Sequence, residues 1–238
     1  MLEMLEVHNL HTHYGLSHIL QGMDFSVGAS EIIALVGRNG VGKTTTLKTI
    51  AGWEVPSSGD IRWKGDSIAG ASPDSICRAG IAVVPEDRRI FPGLTVQENI
   101  SLGLLQAPGR SRTEKRRALD EAFARFPRLK ERAQQMGTTL SGGEQQMLAI
   151  ARVLVGKPEL ILIDEPTEGL APIIVSELFE IIAGLRDEGI SVILVEQNVY
   201  KALEIVDRAF VVERGQITLG GDISERGVKE KVIDAVAV

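Results

Sequence analysis

Cysteine is almost missing from this chain of 238 residues: Cys77 stands alone. No disulfide can close within the chain, which points to a reducing compartment. Long apolar runs are missing as well. None approaches the roughly 20 residues that a bilayer-spanning helix needs. The opening Met1-Leu2-Glu3-Met4-Leu5-Glu6 carries acid where a secretory leader carries base, and there is no internal repeat or low-complexity segment. Basic charge is in deficit. The net charge of −6 argues against broad binding to nucleic acid or to an anionic membrane surface. We therefore expect a cytoplasmic protein without nucleic acid as a partner, reaching a membrane only through another protein. What remains is ordinary for a globular chain, with 44% hydrophobic and 24% charged residues. The length suits one large domain or two lobes.

Short apolar runs bounded by turn residues predict strands at 23–27, 31–36, 61–63, 81–84, 160–163, 191–195 and 209–213. Runs 161–163 and 192–195 are apolar throughout, as in strands of a parallel sheet covered on both faces. Helices alternate with them, and in 173–186 residues Ile174, Leu178, Ile181, Ile182 and Leu185 share one face. Between Arg88 and Lys157 strand signals vanish and helices are expected at 96–105, 113–126 and 141–154. This predicts an α/β core over 1–87 and 158–238, interrupted by a helical lobe over 88–157. Glu213-Arg214-Gly215-Gln216 reads as a hairpin turn leading to 217–219, and the tail from Val228 as a closing helix.

The most informative stretch is Gly37-Arg38-Asn39-Gly40-Val41-Gly42-Lys43-Thr44-Thr45. Its glycines let the backbone aim several N–H groups at a β-phosphate. Lys43 adds a point charge on the β/γ oxygens, and the Thr44 hydroxyl can ligate magnesium. The strand before it and the helix after it complete a phosphate site at a positive helix end. A second motif, Leu160-Ile161-Leu162-Ile163-Asp164-Glu165-Pro166, is an apolar strand delivering two acids. Asp164 would hold the magnesium shell, and Glu165 would polarise the water attacking a γ-phosphate. A third, Leu140-Ser141-Gly142-Gly143-Glu144-Gln145-Gln146, opens a helix. It reads as a capping box, and equally as a second anion site that could serve a nucleotide held by another subunit.

This ordered combination resembles the ATP-binding-cassette ATPases over nearly the whole chain. The resemblance implies an α/β fold: a P-loop nucleotide-binding core with a mostly parallel sheet, an N-terminal antiparallel β portion and an inserted helical lobe. It implies ATP and magnesium as cofactors. It also implies a head-to-tail dimer, each ATP lying between one subunit's phosphate loop and the other's Ser141-Gly142-Gly143-Glu144. Tyr14 falls where the family stacks an aromatic on adenine, and Glu86 where a glutamine touches magnesium and water. Gln197 stands where a histidine grips the γ-phosphate, and Ala171 replaces an aspartate, which bears on one cross-dimer contact. Lys43, Glu165 and Gln197 are the catalytic candidates, and Thr44, Asp164 and Glu86 the magnesium candidates. Hydrolysis is expected to be real and most effective beside a better-equipped partner ATPase.

Residues 91–100 match the segment leading into the family's helical lobe, and Arg88, Phe91 and Pro92 are candidates for contact with membrane subunits. Val-Pro-Glu-Asp-Arg-Arg-Ile-Phe, Glu-Gly-Leu-Ala-Pro and Val-Glu-Gln-Asn together look like the second ATPase of importers for branched-chain and other hydrophobic amino acids. Relatives serving urea or short amides look similar. The implied partners are a homologous ATPase subunit in a heterodimer, or a second copy; two permeases; and indirectly a periplasmic solute-binding protein. The location would be the inner face of the membrane. A soluble cassette ATPase of DNA repair or the ribosome is the alternative class, as is an ATP sensor without hydrolysis. His8, His11, His13 and His18 fit no standard metal geometry and read as strand or surface residues.

Overall fold

The structure, a computed structural model, describes residues 3–106 and 109–237. Met1 and Leu2 of the acidic start lie outside them. Two sheets organise the chain. Strands β1 (Glu3–Tyr14), β2 (Ser17–Gly28), β4 (Ser58–Trp63) and β5 (Asp66–Ser67) form an antiparallel sheet ordered β2-β1-β4-β5. Strands β3 (Ile32–Val36), β6 (Ile81–Val84), β7 (Leu160–Asp164), β8 (Ser191–Glu196), β9 (Arg208–Glu213) and β10 (Gln216–Asp222) form the second, ordered β10-β9-β3-β8-β7-β6. All its neighbours run parallel except the β9–β10 hairpin.

The continuous apolar runs have the predicted cause. Every residue of β3 is fully buried, with Ile33 and Leu35 facing the antiparallel sheet and Ile32, Ala34 and Val36 facing helices. The helix-side core collects Val96 and Ile100 of α3 (Val96–Leu102), Phe123 of α4 (Arg112–Arg125), Leu129 of α5 (Pro127–Glu131), Leu148 of α6 (Gly142–Leu154) and Leu178 of α7 (Pro172–Asp187). The opposite core holds Leu47 and Ile50 of α1 (Lys43–Ile50) and Ile76 of α2 (Pro73–Arg78). Helices α8 (Val199–Ile205) and α9 (Val228–Ala237) close the chain, and no described helix is long and apolar enough to cross a membrane.

Register decides where the chemistry goes. Val36 lies opposite Glu196, and Asp164 opposite Val195, so β3, β7 and β8 end together at one sheet edge. Ligand sites in open parallel sheets gather outside these carboxyl ends.

Some elements escape the sequence pattern. β1 buries Leu5 and Val7, then Leu10 and Thr12. Asn9, at φ +43°, sits inside a register shift between the two pairs, so the alternation changes phase mid-strand. Helices α2, α5 and α8 run for 6, 5 and 7 residues, too short for periodicity to show. The helix expected at 96–105 ends at Leu102 and tightens to a 3₁₀ turn over Gly103–Gln106.

Candidate active site

The phosphate loop links β3 to α1. Gly37 leaves the strand at φ +148°, and a Cβ there would stand 2.4 Å from the Val212 carbonyl oxygen, so only glycine fits. Gly42 caps α1 in the left-handed region with no side-chain cap, which leaves the helix's first N–H groups for a ligand. Lys43 is buried and donates to the carbonyls of Gly37 and Arg38 at 2.8 and 2.9 Å. Its ammonium is 3.7 Å from a Glu165 carboxylate oxygen. Burial lowers the Lys43 pKa, opposed by Glu165 and Asp164.

The end of β7 supplies the acids. Thr44 Oγ1 donates to Asp164 Oδ1 at 3.0 Å, and burial raises the Asp164 pKa against that hydrogen bond. Glu165 sits at φ +43°, a conformation that disfavours a side chain and is held here by its N–H to the Val195 carbonyl at 2.9 Å. The Gln197 amide donates to Glu165 Oε2 at 2.5 Å. Glu196, buried at the end of β8, holds Gln197 in turn. It accepts the amides of Gln197 and Asn198 at 3.1 and 3.3 Å and the Thr167 hydroxyl at 2.7 Å. Burial raises the Glu196 pKa against these bonds.

One open cleft gathers Tyr14, Asn39, Gly40, Gly42, Lys43, Thr44, Thr45, Glu86, Glu165 and Gln197, together with Ile19, Lys48 and Glu168. Asp164 lines an adjoining hollow that shares Thr44, Lys48 and Glu86. Gly37, Arg38 and Val41 belong to the loop's frame; Val41, for example, accepts the Gly215 amide at 2.8 Å. Glu86 meets Glu168, whose hydrogen bond and burial raise the Glu86 pKa.

Ser141, Gly142, Gly143 and Glu144 are not in this cleft. They start α6 with a complete capping box, which takes the amides of Ser141 and Glu144. Among the described residues no acceptor takes the Gly142 and Gly143 amides. Gly143 also has a packing reason to be glycine, since a Cβ would stand 2.6 Å from Ile174 Cγ2. Phe91 borders a separate groove with Trp53, Leu105 and Arg152. The half-buried Arg88 does not line this groove; its guanidinium reaches Gln146 and the Glu168 carbonyl.

Sequence reasoning passed over Glu168, Glu196 and Thr167 as site residues. Glu168 and Thr167 adjoin the Asp164-Glu165 pair, and an acid closing β8 beside Gln197 was the available signal for Glu196. The four histidines lie on β1 and β2, where His13 stacks on His18 with centroids 4.1 Å apart, and His11 and His18 ring nitrogens are 3.0 Å apart.

A phosphate loop, a strand-end acid pair and a hydrogen-bonded amide around one cleft define a nucleotide-hydrolysing P-loop protein. The ABC transporter family model matches residues 20–168. The chain is 45% identical over 232 residues to the high-affinity branched-chain amino acid transport ATP-binding protein BraG of Pseudomonas aeruginosa, covering 98% of each. It is 37% identical to the probable branched-chain amino acid transport ATP-binding protein LivF of Archaeoglobus fulgidus, covering 96% of each. The crystal structure of the ADP conformation of an ATP-binding cassette of an ABC transporter superposes with a TM-score of 0.86 at 25% identity, covering 100% of this chain and 98% of that one. The chain belongs to the ABC transporter family, as an ATP-binding ATPase component.

Proposed function

We propose that this protein is the ATP-hydrolysing subunit of an importer for branched-chain or other hydrophobic amino acids. The observation that carries the hydrolytic part is the convergence of Lys43, Glu165 and Gln197 on one cleft, with Asp164 in the hollow that adjoins it. The solute is supported by likeness to the two amino-acid transport proteins along nearly their whole lengths.

Loop amides and Lys43 hold the triphosphate, and Tyr14, exposed at the rim, offers its ring to adenine. The oxygen donors of Thr44 and Asp164, 3.0 Å apart, suit a hard cation such as magnesium, and Glu86 lines the same hollow. When bound, magnesium neutralises charge on the β- and γ-phosphate oxygens. Glu165 accepts the proton of the attacking water, and Gln197, fixed by Glu196, orients Glu165 and donates to the γ-phosphate.

The start of α6 lies outside the cleft, so its free amides complete the site of a mate in a head-to-tail pair, either a homologous ATPase or a second copy. Segment 88–157 acts as the lobe that presents them. The groove beside Phe91 receives a permease, one of two at the inner membrane face, served outside by a solute-binding protein. Vesicles carrying the permeases, this subunit and its mate, with the solute-binding protein outside, should take up leucine with ATP inside, and lose uptake with Glu165→Gln. Uptake of urea in place of leucine would replace the solute reading, and uptake independent of Glu165 would overturn the energising one.

A further inference from the structure

The reach of Arg88 joins segments that the cleft keeps apart. Arg88 and Arg89 are consecutive non-glycine residues at φ +57° and +43°, two positions beyond Glu86, where the chain makes a tight turn. That conformation disfavours side chains and persists only where neighbours hold it. Arg88 Nε donates to Gln146 Oε1 at 3.2 Å, and its Nη2 to the Glu168 carbonyl at 3.3 Å. The guanidinium lies against Gly142, whose Cβ, were there one, would be 3.4 Å from Nη1. In return Arg152 of α6 donates to the carbonyls of Arg89 and Arg88 at 2.8 and 2.9 Å. Two arginines thus cross in opposite directions between the turn after Glu86 and the helix that begins with Ser141.

Gln146 is buried, and its Nε2 has no partner. A buried donor left unpaired destabilises the fold, so this pairing is not what stability alone would choose. Gln146 lies one turn into α6, beside the first-turn amides of Gly142 and Gly143. Any shift of Arg88 is felt by that turn. Its other contact, Glu168, follows Glu165 in the same short loop.

We propose that Arg88 is a positioning residue that sets the Ser141-Gly142-Gly143 helix start through Gln146, and so acts on the nucleotide held by the mate rather than its own. The proposal rests on the head-to-tail reading given above, and a complementation assay separates the two. One chain carries Lys43→Ala and keeps its α6 start; the other carries Ser141→Arg and keeps its phosphate loop. Neither can form a working site with its own kind, so ATP turnover in the mixture comes only from mixed pairs.

Adding Arg88→Ala to the Lys43→Ala chain, which supplies the helix start, should lower turnover about tenfold, the scale of one lost charge-assisted hydrogen bond. Adding it to the Ser141→Arg chain should change turnover less than about twofold. Gln146→Leu, which removes the acceptor together with the unpaired amide, should give the same asymmetry without a lower melting temperature. Equal losses on both chains, a loss only on the loop-supplying chain, or no loss on either would overturn the assignment. A parent mixture with no turnover would sink the paired-site reading for two copies of this chain, before Arg88 enters.

Discussion

Two helix starts in this chain are built from similar residues and behave differently. Gly42 begins α1 and Ser141 begins α6, each beside glycine and a hydroxyl group. At α1 the glycine is left-handed, no side chain caps the helix, and a buried lysine and the ends of β7 and β8 crowd around it. At α6 Ser141 and Glu144 form a capping box that leaves the Gly142 and Gly143 amides open, and the glycines pack against Ile174 and Arg88. Composition alone does not make a catalytic anion site. What differs is the surroundings: one start meets acids and an ammonium from its own chain, while the other turns its free amides elsewhere.

The comparison breaks most visibly at Glu165. Glu165→Gln should lower steady-state turnover about a thousandfold, as loss of a general base does, while ATP binding by fluorescence titration stays intact. Turnover within tenfold of the parent would take the base role from Glu165. Next comes Lys43→Met, which keeps the length and removes the charge; kcat/KM for ATP should fall about a hundredfold.

The α6 start should respond chiefly through packing when Gly143 is changed. Gly143→Ala drives a methyl into Ile174, at a cost of about 2 kcal/mol in denaturant unfolding, and Ile174→Ala in the same chain should recover part of it. A neutral Gly143→Ala would remove the packing account.

The smallest effect concerns Glu86. A carboxyl whose folded-state pKa is raised binds its proton more tightly folded than unfolded. Its stabilising contribution is present below the unfolded value and is lost as pH rises through the raised folded one. Above that window Glu86 carries charge beside Glu168 and Glu165. Glu86→Gln should therefore melt on the order of 1 °C higher than the parent at pH 8, with no difference near pH 4. A higher melting point for the parent at pH 8 would reverse the sign of that pairing.

Legibility followed the range of the interactions. The strand ending in Asp164-Glu165 and the loop around Lys43 were readable because their function lies in contiguous residues. Strand β1 was not, because its phase shift at Asn9 is settled by pairing with β2 and β4. The hold of Glu196 on Gln197 and Thr167 depends on β8 ending beside β7, which no local pattern records. The same holds for Arg88, whose partners Gln146 and Glu168 lie 58 and 80 residues away. Its backbone position looked like part of a docking surface, and only tertiary packing brings the side chain to Gln146 and Glu168.

The seam itself is best tested by proximity. Cysteines placed by Asn39→Cys in one chain and Ser141→Cys in another, both with Cys77→Ser, can be joined by a short bis-maleimide linker. With ATP, magnesium and Glu165→Gln in both chains, the account predicts linked pairs between chains, and few without ATP. Links between two Asn39→Cys chains or between two Ser141→Cys chains in place of mixed ones, or no dependence on ATP, would contradict it.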